Sequence, residues 1–331
     1  MDSKTRIGII GSGSWATALV KLLLNNADQV NWFMRHPEDI EFIKKYRHNP
    51  KYLTSVLFDV GKITFFSDID AAIKNSNLLI IAIPAPFLEE ALNKYTGSFE
   101  DKFIVSAVKG IIPHHNLTVG EFFNSKYTVP FSSIGVISGP RHAEEIALER
   151  LSYLTISSKN KKDAEWIADK LRCHYVKVNI STDIYGTEYA AVLKNVVAIA
   201  AGISHGLGYG DNFQAVLVSN AHREIKRFLD KTYKSKRKIN SSPYLGDLLV
   251  TAYSQFSRNR TLGTMIGKGY SLKSAMLEMG MVAEGSYAVS CIKEINEKNK
   301  VSMPITDAVY NILHGKISPM IEIRLLEEKL K

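Results

Sequence analysis

A short apolar run, Arg6-Ile7-Gly8-Ile9-Ile10, passes directly into Gly11-Ser12-Gly13-Ser14-Trp15-Ala16, and Thr17-Ala-Leu-Val-Lys-Leu-Leu-Leu24 continues with helical character. A glycine pattern alone is weak, but G-x-G-x-x-A between a strand and a helix leaves few folds open. Gly11 permits the tight turn, Gly13 lets main chain approach a pyrophosphate, and Ala16 allows the helix to pack closely on the strand. The helix N-terminus offers free N–H groups and a positive dipole end to the phosphates. The reading is a dinucleotide-binding βαβ start, with Gly11, Gly13, Ser14 and Trp15 touching the cofactor.

The next strand, Val30-Asn-Trp-Phe-Met34, ends in Arg35-His36, without the acid that would bond a ribose 2′-hydroxyl. Arg35 suits a 2′-phosphate, which predicts NADP(H) as cofactor with NAD(H) as the second choice; the plainer alternative is a surface arginine after a strand.

Further apolar strand candidates are 63–66, 78–83, 103–107, 134–138, 153–157 and 175–178, with helical patterns at 68–75, 87–95, 117–125 and 161–171. Such alternation predicts a mainly parallel sheet with helices on both faces. Strand signals stop near 180, and 184–203, 212–230, 271–279, 284–298 and 304–314 follow as helices. The predicted organisation is α/β: a Rossmann-like doubly wound domain over 1–180, then an all-helical domain over 181–331 that carries substrate and catalysis. The expected active site lies in the cleft of the two.

Within the first of those late helices, Glu188-Tyr-Ala-Ala-Val-Leu-Lys194-Asn195-Val-Val-Ala-Ile-Ala-Ala-Gly202 places a lysine and an asparagine in an apolar run. A buried ammonium loses hydration and drifts toward proton exchange near neutral pH. The alternative is a lysine whose stem lies on apolar surface while its head reaches water.

A chain of 331 residues supports two domains with real cores. No leader of signal-peptide type is evident, and Glu188, Lys194 and Asn195 interrupt the best candidate for a membrane span. Cys173 and Cys291 lack ligand spacing, so we expect reduced thiols, no metal site and a cytoplasmic location. Of the formal charge of +9, the stretch 222–238 supplies +6, from eight Lys/Arg against two acids. Its run Lys231–Lys238, leading into Ile-Asn-Ser-Ser-Pro243, reads as an exposed loop, with contact to an anionic lipid or other polyanion as a weaker alternative. No nucleic-acid motif accompanies it.

Eight segments then recur in a familiar order: Gly11-Ser-Gly-Ser-Trp-Ala-Thr-Ala-Leu19, Ala107-Val-Lys109-Gly110, Ser138-Gly139-Pro140, Leu193-Lys-Asn-Val196, Gly246-Asp-Leu248, Ser257-Arg-Asn-Arg260, Val282-Ala-Glu-Gly285 and Met303-Pro-Ile-Thr306. From about residue 6 to 315 the chain resembles the bacterial NAD(P)-dependent glycerol-3-phosphate dehydrogenases. The resemblance implies interconversion of dihydroxyacetone phosphate and sn-glycerol 3-phosphate, supplying phospholipid synthesis. It also implies a C-terminal domain of the 6-phosphogluconate dehydrogenase type and a homodimer.

By the same resemblance Lys194 is the catalytic acid–base and a substrate contact. Lys109, at the ligand-facing end of a parallel strand, meets cofactor and substrate, and Asp247 orients the lysine or a hydroxyl. A second cation lowers a lysine pKa and a carboxylate raises it, so the two influences oppose each other. Ser257, Arg258 and Asn259 match a phosphate-binding triplet, with Arg258 also near the cofactor; without the resemblance, Arg-Asn-Arg reads as a polar helix start. Gly139 is carried over as a substrate contact, and Arg35, His36, Ala143, Val282 and Glu284 as cofactor contacts, although Glu284 also reads as an ordinary solvated glutamate.

Two departures stand out. A small residue and then Phe usually follow Ser-Gly-Pro, where this chain has Arg141-His142. The basic segment 226–245 replaces a stretch of small residues. Hydroxyacid and ketopantoate dehydrogenases share the glycine loop and a catalytic lysine but require a carboxylate site. A non-catalytic NADPH-binding sensor would use the basic loop as its contact surface.

Overall fold

Apolar residues on both faces of a strand require cover on both faces, which parallel sheets receive from crossover helices. The computed structural model, which describes residues 5–331, shows this arrangement. Its strands are β1 (Ile7–Ile10), β2 (Val30–Phe33), β3 (Ile63–Phe66), β4 (Leu78–Ile81), β5 (Phe103–Ser106), β6 (Ile111–Ile112), β7 (Leu117–Thr118), β8 (Ile134–Ser138), β9 (Ser152–Ser158) and β10 (Val176–Ser181). The chain divides into two units, Met1–Val108 with Val119–Ile184, and Lys109–Thr118 with Tyr185–Lys331.

The first unit holds an eight-stranded sheet in the order β10-β9-β8-β5-β4-β1-β2-β3. Every pairing is parallel except β8 with β9. Residues of β1, β2, β4, β5 and β8 are buried throughout, as a doubly covered sheet demands. Its helices are α1 (Ser14–Leu23), α2 (Pro37–Tyr46), α3 (Ile69–Lys74), α4 (Ala85–Leu92), α5 (Val119–Tyr127), α6 (Ala143–Ala147) and α7 (Lys161–Leu171). The order reverses between β1 and β4, the switch point at which such sheets take ligands beyond their strand ends.

The second unit is helical: α8 (Ile184–Gly206), α9 (Asp211–Thr232), α10 (Asp247–Tyr253), α11 (Arg258–Gly267), α12 (Leu272–Met279), α13 (Gly285–Asn299), α14 (Pro304–Leu313) and α15 (Pro319–Glu327). A π-turn, Ser242–Gly246, feeds directly into α10. Where α8 crosses α11, a Cβ on Gly202 would overlap the Arg260 carbonyl oxygen, and one on Gly263 the Ile199 carbonyl oxygen. The two backbones therefore touch. No helix among the described residues is long and apolar enough to cross a membrane.

The doubly wound sheet followed by helices matches the sequence expectation, with three differences of detail. The helical reading of 117–125 begins instead as β7, paired antiparallel with β6, and the helix runs over Val119–Tyr127. This hairpin belongs to the helical unit, inside the span 1–180 assigned to the first domain, because Ile111 is 1% exposed within the helical core. Helices at 37–46, 143–147, 247–253 and 319–327 were not singled out from sequence. Of the basic stretch, 222–232 lies in α9 and the rest is a loop beyond it, with Lys234, Lys236 and Lys238 exposed. It is nevertheless anchored, by Tyr233 stacked on Tyr185 at 4.3 Å and by Arg237 donating to the Tyr233 carbonyl.

Candidate active site

In the first unit the glycine loop is rigidly held. Gly11 has φ of +134°, and a Cβ there would sit 2.8 Å from the Ala82 carbonyl oxygen, so only glycine turns the chain here. Trp32, buried in β2, donates its indole N–H to the Gly11 carbonyl at 2.8 Å. Asn49 donates to the Ser12 carbonyl at 3.2 Å and to the Thr17 hydroxyl at 3.0 Å. Neither Trp32 nor Asn49 carried a sequence signal, because each acts from a distant segment.

The loop fits a dinucleotide. A Cβ on Gly13 would meet nothing within 4 Å, so the main chain there is open to a ligand. Helix α1 starts with neither a side-chain cap nor an acid in its first turn among the described residues. Its first N–H groups and dipole are thus left for an anion. Ser14 is buried at the helix start, and Trp15 follows it. Arg35 and His36 are both exposed beyond β2, and His36 faces Glu38 at 3.4 Å. Gly139 follows β8 with φ of +101°, and Ala143 opens α6.

The second unit gathers the remaining predicted residues. Lys194, on α8, has a side chain only 1% exposed and forms an ion pair with Asp247, which is fully buried at the start of α10. Lys109 lies 3.7 Å from the same Asp247 oxygen and is 24% exposed. One carboxylate therefore faces two ammonium groups. The snorkelling alternative for Lys194 does not apply, since its Nζ is enclosed. Asn195, one residue on, donates to the Lys109 carbonyl at 2.8 Å and ties that loop to α8. Its place beside Lys194 in an apolar run was the available signal for this role.

Helix α11 contributes the triplet. Ser257 is its N-cap, accepting from the Arg260 N–H at 3.3 Å, so the polar-helix-start reading is correct for its local structure. Asn259 is buried, and its Oδ1 accepts from the Gly285 N–H at 3.0 Å, linking α11 to α13. Val282 is part-exposed just before α13. Glu284 is not a solvated glutamate: the residue is part-exposed, but its carboxylate oxygen Oε2 is enclosed without a hydrogen-bond partner. Burial pushes the Glu284 carboxyl up to about 7, opposed by the charges of Arg258 and Lys109 and by the Lys109 N–H. Lys109, Arg258 and Glu284 thus form one electrostatic group alongside the Lys194–Asp247 pair.

A cation held by a buried carboxylate, a second lysine, and an arginine at a helix start make a site for proton exchange beside an anionic group. Comparison with known proteins gives the same direction. Residues 6–164 match the family model for the NAD-dependent glycerol-3-phosphate dehydrogenase N-terminus, and 183–324 match that for its C-terminus. A glycerol-3-phosphate dehydrogenase (NAD(P)+) of Bacillus velezensis is 35% identical over 93% of this chain and 90% of its own length. One from Clostridium botulinum is 33% identical over 98% of both chains. The solved glycerol-3-phosphate dehydrogenase of Coxiella burnetii superposes with a TM-score of 0.90 at 26% identity, covering 98% of this chain and 99% of that one. With both halves of the family matched in order and the lysine pair brought onto one carboxylate, this chain belongs to the NAD-dependent glycerol-3-phosphate dehydrogenase family.

Proposed function

We propose that this protein reversibly reduces dihydroxyacetone phosphate to sn-glycerol 3-phosphate with a nicotinamide cofactor. The observation that carries the reading is the buried Lys194 ion-paired with Asp247, with Lys109 on the same carboxylate. When bound, the nicotinamide supplies the hydride to the carbonyl carbon. The protein handles the proton and the phosphate. Lys194 Nζ gives its proton to the carbonyl oxygen in reduction and takes it back from the hydroxyl in oxidation. Asp247 keeps the ammonium paired while it is buried, and Lys109 adds a donor for the developing oxyanion. The Arg258 guanidinium, with Ser257 and the Asn259 amide at the α11 N-terminus, holds the substrate phosphate. Gly139 completes the substrate contacts.

Gly11, Gly13, Ser14 and Trp15 would hold the pyrophosphate, while Arg35 and His36, exposed beyond β2, would read the adenosine ribose. With no acid at the end of β2 and an exposed Arg35 there, NADP(H) is preferred over NAD(H). Ala143, Val282, Glu284, Lys109 and Arg258 complete the proposed cofactor contacts. By family resemblance the enzyme acts as a cytoplasmic homodimer and feeds phospholipid synthesis.

The test follows NADPH and NADH oxidation by absorbance, with dihydroxyacetone phosphate and with unphosphorylated dihydroxyacetone. Turnover confined to the phosphorylated ketone and faster with NADPH is expected. Turnover of a keto acid in its place would assign a hydroxyacid or ketopantoate chemistry. Cofactor binding without any turnover would assign the sensor role.

A further inference from the structure

Arg141 stands where the resemblance places a small residue, and the structure gives it surroundings that a surface arginine lacks. It is 4% exposed. One guanidinium nitrogen donates to the Ile137 carbonyl at 2.8 Å and another to the Gly139 carbonyl at 3.2 Å, so the fork braces the turn that ends β8. The guanidinium carbon lies 4.7 Å from the ring centroid of Trp15. That indole is the second residue of α1, in the turn proposed to receive the pyrophosphate, and its Nε1 is enclosed without a hydrogen-bond partner. Helix α1 also packs along α6, which opens two residues after Arg141.

A guanidinium buried against an indole face is attracted by the ring quadrupole and restricts the ring's rotation. Indole and turn are thereby fixed to one another through a single side chain. We propose that Arg141 is a positioning residue for the dinucleotide: it holds the Trp15 ring of the glycine loop while its fork fixes the β8 turn, so that the pyrophosphate site is formed before the cofactor arrives. The proposal rests on the functional reading above but concerns cofactor affinity alone. Preorganisation of this kind reduces the ordering cost of binding. Because it acts at the pyrophosphate end, it serves NADPH and NADH equally, whereas Arg35 separates them.

The experiment titrates NADPH and NADH into wild type, Arg141→Ser, Arg141→Lys, Trp15→Leu and the Arg141→Ser/Trp15→Leu double variant, reading cofactor fluorescence. Indole emission of the unliganded proteins, with Trp15→Leu as the subtraction, reports the ring itself. Arg141→Ser should weaken both dinucleotides roughly tenfold, the scale of a desolvated cation–π contact. It should alter Trp15 emission, and any rise in the KM for dihydroxyacetone phosphate, passed on through Gly139, should stay smaller than the loss of dinucleotide affinity. Arg141→Lys, which keeps the charge without the planar stack, should recover part of the affinity. In the Trp15→Leu background the serine substitution should cost nothing further.

Unchanged dinucleotide affinity and unchanged emission in a folded Arg141→Ser protein would overturn the proposal. So would fully additive effects with Trp15→Leu, or a defect confined to the KM for dihydroxyacetone phosphate. Should Arg141→Ser not fold, Arg141→Lys and Trp15→Leu must both weaken both dinucleotides, and wild-type affinity in either overturns the role. A wild type that binds NADPH but reduces no ketone phosphate would sink the functional reading while leaving the Arg141 test readable from binding.

Discussion

At the scale of single residues, the site is a problem in burying charge. Lys194 is enclosed with Asp247 as its countercharge, so removing Asp247 takes the carboxylate from a buried ammonium, whereas removing Lys194 leaves Asp247 facing Lys109. Lys194→Met should lower kcat by about 10²–10⁴, the usual share of a positioned general acid. NADPH binding by fluorescence should stay within a few-fold, since the glycine loop is untouched; a folded variant with near-normal kcat would remove Lys194 from the proton transfer. Glu284 poses the opposite problem, because burial has pushed its carboxyl up to about 7 from an ordinary 4.5. The folded state then binds the proton more tightly than the unfolded one, so this group's contribution to stability is fully present below about pH 4.5 and is lost as pH rises through 7. At 1.36 kcal/mol per unit the loss approaches about 3 kcal/mol. Glu224, also driven up to about 7 by burial, adds a loss in the same window. Urea denaturation at pH 5 and pH 8 should therefore show wild type losing stability toward pH 8, and Glu284→Gln losing about half as much. An unchanged slope in Glu284→Gln would show that this carboxyl is already ionised throughout.

Among elements, the critical contact is the crossing of α8 and α11. Gly202 and Gly263 bring those backbones together, and the same two helices carry Lys194 with Asn195 and Arg258 with Asn259. Asn259 then reaches the start of α13, and a Cβ on Gly285 would lie 2.8 Å from the Asn195 carbonyl oxygen, so three helices meet around one set of main-chain contacts. A methyl group at Gly202 must push α11 away, because its obstacle is main chain and not the end of a flexible side chain. Gly202→Ala should cost about 1–3 kcal/mol as overpacking. It should also cost up to about a hundredfold in kcat/KM for dihydroxyacetone phosphate, because displacements near 1 Å are felt at the reacting centre. Denaturant midpoints and steady-state kinetics on the folded variant separate the two effects, and normal values of both would show that the helices part without consequence. The cap made by Glu224 has a related logic: it accepts from the N–H groups of Ile305 and Thr306 and from the Thr306 hydroxyl, fixing the start of α14 from α9.

For the whole molecule, the sequence speaks most clearly where burial is continuous or a turn is forced. Strands β1, β4 and β5 are apolar on both faces, and Gly11 and Gly13 sit in the one context that gives them meaning, so the sheet and its ligand end were legible. Lys194 was legible because a charge inside an apolar helix must be accounted for. Glu284 was not, since its enclosure depends on Lys109 and Arg258, which arrive from other segments. The pins on the glycine loop, Trp32 and Asn49, were hidden for the same reason. The hairpin β6–β7 was invisible because two-residue strands have no periodicity to read. Its allegiance has a consequence for stability. Ile111 is packed in the helical core, and Thr118 donates to the buried Glu188 of α8 at 2.7 Å, so the segment Lys109–Thr118 serves the helical unit although the chain on both sides of it belongs to the sheet. Ile111→Ala should therefore cost about 2–5 kcal/mol, as truncation of a fully buried isoleucine does. The loss should fall on one unit. Hydrogen exchange read by mass spectrometry should show faster exchange in α8 and α13, the helices around the hairpin, while β1, β4 and β5 keep wild-type protection. Loss of protection spread evenly over both units would mean that the whole chain opens in one step. Loss confined to the strands would place Ile111 in the other core.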